Sequence, residues 1–323
     1  MNSSLRCTAV FALAAAAFLF PPSHAVRAAG VPDLLTIRVV SAPNDDATAL
    51  LYAQRTGMFG RAGLDVQLAV GRSGSAIMAA VLGGTFDIGK TSIPTIFAAH
   101  EKGIPLTIVA PAAVYDSRSP LGGMIVAKGG PIREGKDLVG KVASVAGFAD
   151  IGQIAIDSWV KQAGGDPKSV KYIELPMTAV AAAIAQDRVS GGEIVNPPLA
   201  NALATDDVQL IPVFNAVAQQ FLLSAWIAES GWASAHRDAV KRFARVLAQA
   251  AAYANNHHDD TVEMVAAFTS TPIDTVKRMP RVFNGVTLNA ALVQPVIDAS
   301  ASAGVLEHRF AAKDILDPDV LVK

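Results

Sequence analysis

The sequence predicts a two-lobe α/β protein in which each lobe is a central sheet covered by helices. From Thr36 onward, short apolar runs alternate with helical segments bounded by glycine, the pattern of strands and helices laid down in turn. The pattern restarts after Lys128-Gly129-Gly130-Pro131, a Gly/Pro cluster that marks a crossover. The length of 323 residues suits one large or two medium domains at roughly 100–200 residues each.

The first set opens with a strand over 37–40, a helix over 47–56 stopped by Gly57, and a strand over 64–68. Ser73-Gly74-Ser75 starts a helix over 76–82 that Gly83-Gly84 ends. A strand at 86–88, a helix over 94–102 with Pro94 in its first turn, and a strand over 106–110 complete the set, mostly parallel in expectation. The second set reads as strand 141–145, helix 151–163 ended by Gly164-Gly165, strand 170–174, helix 178–187 and strand 193–195. Residues 208–228 carry no charge, and a run of that length is long enough to span a bilayer. Gln209, Pro212, Asn215, Gln219 and Gln220 interrupt it, so it reads as two buried strands with a loop between them. Helices follow over 237–255, 261–268, 275–279 and 288–303.

Hydrophobic residues make up 51% and charged residues 17% of the chain, which excludes a disordered or coiled-coil protein. With 27 basic against 28 acidic residues there is no broad basic footprint, so nucleic acid is excluded as a partner. The N-terminus places Arg6 before an uncharged apolar stretch over 7–20, then Pro21-Pro22-Ser23-His24-Ala25. This reads as a secretory signal peptide within 1–28, cleaved after Ala25 or Ala28. The expected product is soluble and periplasmic or otherwise exported. The single cysteine, Cys7, falls inside that leader and leaves the mature chain without a disulfide or a thiol nucleophile.

Gly84-Thr-Phe-Asp-Ile-Gly89-Lys90-Thr91 satisfies the phosphate-loop pattern. A helix precedes it and Phe86 and Ile88 alternate as in a buried strand, so the match is structural. No G-x-S-x-G elbow, H-E-x-x-H pair or cysteine-based metal site is present, and His257-His258-Asp259-Asp260 reads as a solvated loop; no metal and no cofactor are expected. Helix N-termini behind strands hold more promise, because their free N–H groups favour an anion or a polar ligand. Ser73, Gly74 and Ser75, Thr91 and Ser92, and Gly147, Phe148 and Asp150 form three such candidates, with ordinary capping as the alternative for each. Asn44, Asp45 and Asp46 follow the first strand, where ligands of open sheets bind, and capping by Asp46 explains them equally. Arg118 either grips a carboxylate or sulfonate or pairs with Asp116; the surface pair is favoured.

The ordered pieces resemble the solute-binding proteins of the nitrate, taurine and aliphatic-sulfonate importers, whose relatives include thiamine-pyrimidine-binding proteins. The carriers are Ala53-x-x-x-Gly57-Met-Phe59, Gly63-Leu-Asp-Val66, Gly71-x-Ser-Gly-Ser75 and Leu82-Gly-Gly-Thr-Phe-Asp87-Ile-Gly89 in the first half. Asp137-Leu-Val-Gly-Lys141-Val, Trp159-Val-Lys-Gln-Ala-Gly164 and Glu193-Ile-Val-Asn-Pro197-Pro198 continue it in the second.

The resemblance implies a type II periplasmic-binding-protein fold joined by two crossover segments, with 32–126 plus 222–323 as one lobe and 127–221 as the other. It implies capture of a small organic anion in the interlobe cleft, hinge closure near Lys128 and Gln220, and delivery to the membrane permease of an ABC transporter. It adds Asn196 and Pro197 to the ligand contacts. The alternative ligand is a thiamine-precursor aminopyrimidine or other amine-bearing molecule, which Asp45 and Asp46 would suit better than an anion; an exported ligand sensor is the alternative role. The eukaryotic enzyme of pyrimidine synthesis among the fold's relatives looks dependent on a cysteine-rich segment, so the expectation here is a monomeric binding protein and no enzyme.

Overall fold

A computed structural model describes residues 34–316; the expected leader lies outside them. Among the described residues eleven strands form two sheets. The first contains β1 (Leu35–Ser41), β2 (Leu64–Val70), β3 (Ile88–Ser92), β4 (Leu106–Asp116), β10 (Gln220–Glu229) and β11 (Phe283–Asn284), in the order β11-β4-β10-β3-β1-β2. The second contains β5 (Gly122–Ala127), β6 (Val142–Val145), β7 (Lys171–Glu174), β8 (Gly191–Val195) and β9 (Val208–Ile211), in the order β7-β6-β8-β5-β9. Helices cover both.

Neither sheet is mostly parallel. β1 runs parallel to β2 and β3, and β6 to β7 and β8. β10 is antiparallel to β3 and β4, and β5 is antiparallel to β8 and β9. The chain leaves the first sheet after β4 and returns as β10, so each connecting strand enters its sheet against the βαβ direction. The passages lie at 117–121 and 212–219, side by side: Ser117 N donates to Gln219 O at 2.9 Å and Gln220 Nε2 to Asp116 at 2.6 Å. Tyr115, Phe214 and Phe221 pack together beside them, and the Tyr115 hydroxyl donates to Asn215 at 2.6 Å.

The Gly/Pro cluster at 128–131 lies past the end of β5, within the second sheet's neighbourhood, where Lys128 pairs with Asp206. The expected crossover there lies instead at 117–121. Gly122 and Gly123 hide β5 because glycine weakens a strand. Both are required: a Cβ on Gly122 would lie 2.7 Å from Ile194 O, and one on Gly123 2.5 Å from Ile211 O.

The uncharged run resolves into β9 and β10, with a short 3-10 turn at Val213–Ala216. Phe221 to Ala228 are all buried, which is why that strand shows no alternation: it is covered on both faces. Among the described residues no helix is long and apolar enough to cross a membrane. On one face of the first sheet Ile37, Val39, Trp226 and Val109 meet Val240, Phe243, Leu247 and Ala251 of helix Arg237–Ala254, the residues its 3.6-residue spacing places on one side. The other face joins a core that continues through helix Ala290–Ser302 into helix Ile151–Gln162 of the second sheet.

Candidate functional site

The carboxyl ends of β1, β3, β6 and β8 converge on a cavity of about 170 Å³, with β10 and the segment before β11 completing its wall. Of the candidates from sequence, Asn44, Asp45, Asp46, Gly74, Thr91, Ser92, Asp150 and Asn196 line it. Ser73, Ser75, Gly147, Phe148 and Pro197 do not. Ser73 caps helix Gly74–Leu82 by accepting from Ala76 N, Ser75 lies 3.2 Å from it, and Phe148 stands 58% exposed.

Charge in this cavity is partitioned unevenly. Lys90, 3% exposed, pairs with the Asp46 carboxylate, which also accepts from Ser224 Oγ at 2.8 Å. Asp45 is consumed by structure: Arg281 Nε and Nη2 reach it at 2.8–3.1 Å, Thr48 Oγ1 at 2.9 Å and Val282 N at 2.8 Å. Among the described residues neither Asp150 nor Glu193 forms an ion pair. Asp150 caps helix Ile151–Gln162 through Ile151 N at 2.7 Å. Glu193, 2% exposed, accepts from Ala146 N at 2.9 Å. Burial pushes the Glu193 carboxyl up to about 8, with the neighbouring Asp150 adding to the rise. Burial raises Asp150 as well, against a hydrogen bond from Ser92 that favours its charged form. A negative charge on Asp150 makes ionisation of Glu193 costlier still.

At one of the three expected helix N-termini, the one before helix Ile151–Gln162, the donors are already engaged. In the loop before helix Ile151–Gln162, Ala146 N, Phe148 N, Ala149 N and Ile151 N donate to Glu193, Glu174, Gln153 and Asp150. The chain's own acidic and amide side chains hold the places an external anion would need. Two buried oxygens remain without partners at the cavity wall, Thr91 Oγ1 and Asn196 Oδ1, while Asn196 Nδ2 donates to Pro280 O at 2.8 Å.

Glycine makes this arrangement possible. A Cβ on Gly152 would lie 1.9 Å from Glu193 Cδ, so the carboxyl rests directly on the first turn of the helix. Gly152→Ala is expected to displace it and lower unfolding free energy by about 1–3 kcal/mol, the usual cost of overpacking. Urea denaturation checks this, and Gly152→Ala/Glu193→Ala should recover most of the loss. An unchanged midpoint in the single variant would contradict the contact.

Several wall residues escaped sequence reasoning. Glu193 had a signal, an acid inside the apolar strand Gly191-Gly192-Glu193-Ile194-Val195, which buries only at a cost that function or pairing must offset. Lys90 lay inside the dismissed phosphate-loop match. Val282 and Ser224 carried no local mark.

Residues 44–261 match the family model described as NMT1/THI5 like. The chain belongs to that family. A 25% identical relative, named 4-amino-5-hydroxymethyl-2-methylpyrimidine phosphate synthase, comes from Schizosaccharomyces pombe; the match covers 71% of this chain and 63% of the relative's length. Among solved structures, the periplasmic aliphatic sulphonate binding protein SsuA of Escherichia coli superposes with a TM-score of 0.70 at 16% identity, over 87% of this chain and 97% of that one. The periplasmic nitrate-binding protein NrtA of Synechocystis does so with a TM-score of 0.62 at 14% identity, over 76% and 69%. The resemblance to this group holds. The expectation of no enzyme does not: the fission-yeast relative of this NMT1/THI5-like protein is named as a synthase. Counting cysteines was too narrow a test to decide the question.

Proposed function

We propose that the cavity captures a small amine-bearing ring of the aminopyrimidine class, and that the protein is exported and hands this ligand to the permease of an ABC importer. The observation that carries the reading is the pair Asp150 and Glu193, facing one cavity with no cation of their own while Lys90 and Arg281 are matched to Asp46 and Asp45. An aminopyrimidine edge offers a ring nitrogen beside an exocyclic N–H. A protonated carboxyl donates to the first and accepts from the second, and an ionised one pairs with the protonated ring. Size agrees: about 170 Å³ is close to the ~150 Å³ that holds one benzene and below the ~300–1,000 Å³ of drug-sized pockets. The relative's name supports the same ligand class, and the leader expected over 1–28 supports export.

Titration calorimetry with 4-amino-5-hydroxymethyl-2-methylpyrimidine, nitrate and alkanesulfonates tests the ligand. The pyrimidine is expected to bind, and Asp150→Asn and Glu193→Gln are each expected to weaken it roughly 10- to 100-fold, the value of a charge-assisted hydrogen bond. Binding of only nitrate or sulfonates would refute the reading.

A synthase is the second reading, favoured by the relative's name and by a buried acid pair able to move a proton. Mass spectrometry after incubation of the protein with a cell extract separates the two: the pyrimidine phosphate accumulates with a synthase and stays at its starting level with a carrier.

A further inference from the structure

Away from the ligand cavity, a groove of about 400 Å³ is lined by three arginines, Arg61, Arg242 and Arg245, together with the apolar side chains of Met58, Ala62 and Val246. Sequence spacing builds it. Met58, Arg61 and Ala62 stand at i, i+3 and i+4 along the short helix Met58–Arg61 and its first following residue. Arg242, Arg245 and Val246 repeat that spacing on helix Arg237–Ala254, so each helix turns one face to the groove. The short helix leads through Gly63 into β2, which runs parallel to β1. The groove therefore lies by the amino ends of these strands, whereas the cavity lies at the carboxyl end of β1.

The arginines are held in place without being neutralised. Arg242 Nη1 donates to Ala62 O at 2.8 Å and to Gly63 O at 3.3 Å, and Arg61 Nη1 donates to Thr56 O at 2.8 Å. Carbonyl oxygens orient a guanidinium and leave its charge in full. Asp238 lies 3.0 Å from Arg242 Nε and offsets one charge of the three. Arg245 is exposed and forms no hydrogen bond or ion pair among the described residues. Two of the three positive charges are thus left unmatched in one groove, on a chain whose formal net charge is -1.

We propose that this groove docks an acidic segment of a protein partner, a stretch of chain that presents two or more carboxylates. Guanidinium planes fixed by the backbone suit discrete carboxylates, which they grip in bidentate pairs. A lipid surface is flat and would meet only the rim of a concavity. The choice of residues agrees, since arginine and methionine are enriched and lysine is depleted where proteins meet. Docking at the amino ends of the strands leaves the cavity free, so the proposal stands apart from the function proposed above.

Fluorescence anisotropy of a fluorescein-labelled hexaglutamate peptide, titrated with the full chain at low salt, tests it. The peptide is expected to bind, and added salt to weaken the complex. Arg61→Gln/Arg245→Gln is expected to weaken it about tenfold or more, as the loss of charge-assisted contacts gives. Arg245→Glu alone, at a side chain with no bond to lose in the fold, is expected to act in the same direction and separates lost docking from lost folding. Lys168→Gln/Lys171→Gln, which removes two charges beside the edge strand β7 of the second sheet, is expected to leave the affinity unchanged. Failure of hexaglutamate to bind, equal affinity in the arginine variants, or an equal loss in the lysine variant would overturn the proposal. So would capture of the chain by vesicles of phosphatidylglycerol and phosphatidylcholine that the arginine variants abolish while hexaglutamate stays unbound.

Discussion

Asp45→Ala is expected to lower the unfolding free energy by about 3–5 kcal/mol, the loss seen when one partner of a buried ion pair is removed. Asp45 and Arg281 are each 5% exposed, so water cannot replace the lost carboxylate. The deletion strands the guanidinium and also removes the acceptor of Val282 N and Thr48 Oγ1. The pair joins the first turn after β1 to the approach to β11, across 236 residues of sequence, so its loss loosens the closing strand of the first sheet. Urea denaturation at neutral pH measures the effect, and replacing both partners with apolar residues should cost much less than either single change. Asp116→Ala breaks a pair whose arginine is 81% exposed and should cost clearly less, chiefly the hydrogen bonds from Gln220 Nε2 and Arg118 N. A loss at Asp45 no larger than that at Asp116 would remove the claim that this carboxylate is structural and unavailable to ligand.

Stability is also expected to fall as pH rises from about 5 to 8, and Glu193 is the cause. Its folded midpoint near 8 lies above the ordinary 4.5. Between those values the folded chain holds a proton that the unfolded chain has lost. Protons bound only in the folded state make unfolding easier as pH rises, by up to about 1.4 kcal/mol per unit for one site. The contribution is fully present below pH 4.5 and gone above 8. Glu193→Gln keeps the shape and a hydrogen-bond acceptor while abolishing the titration, so its stability curve should be flatter and should cross above that of the parent near pH 8. His258, lowered in the folded state, pulls the other way below its ordinary value, and subtracting the two curves removes it. Parallel curves for parent and variant would show that Glu193 is ionised throughout.

Much of the fold was legible because strands and helices differ in apolar period, and those periods survive in the chain. Helix Arg237–Ala254 was found within a residue of its end because nine or more apolar positions recur on one side of it. β5 was not found, because Gly122-Gly123 answers to the backbones of β8 and β9, which only the folded sheet brings near. The site divides in the same way. Asn44, Thr91, Asp150 and Asn196 reached the cavity because the carboxyl ends of strands point there whatever their side chains. Which of them keep a free polar group was not legible, since Asp45 is spent on a partner 236 residues away. The neutral composition told nothing of this, as a balance of charge over the chain does not reveal a balance inside one cavity.

β10 lies between β3 and β4 in the first sheet, yet its residues follow every strand of the second. During synthesis, therefore, residues 122–211 can close their own sheet while the first still lacks its middle strand. Until Gln220–Glu229 emerges, β3 and β4 each present a bare hydrogen-bonding edge, the kind that pairs with strangers. A chain halted before that point would carry its two open edges at the N-terminal end, the part made first.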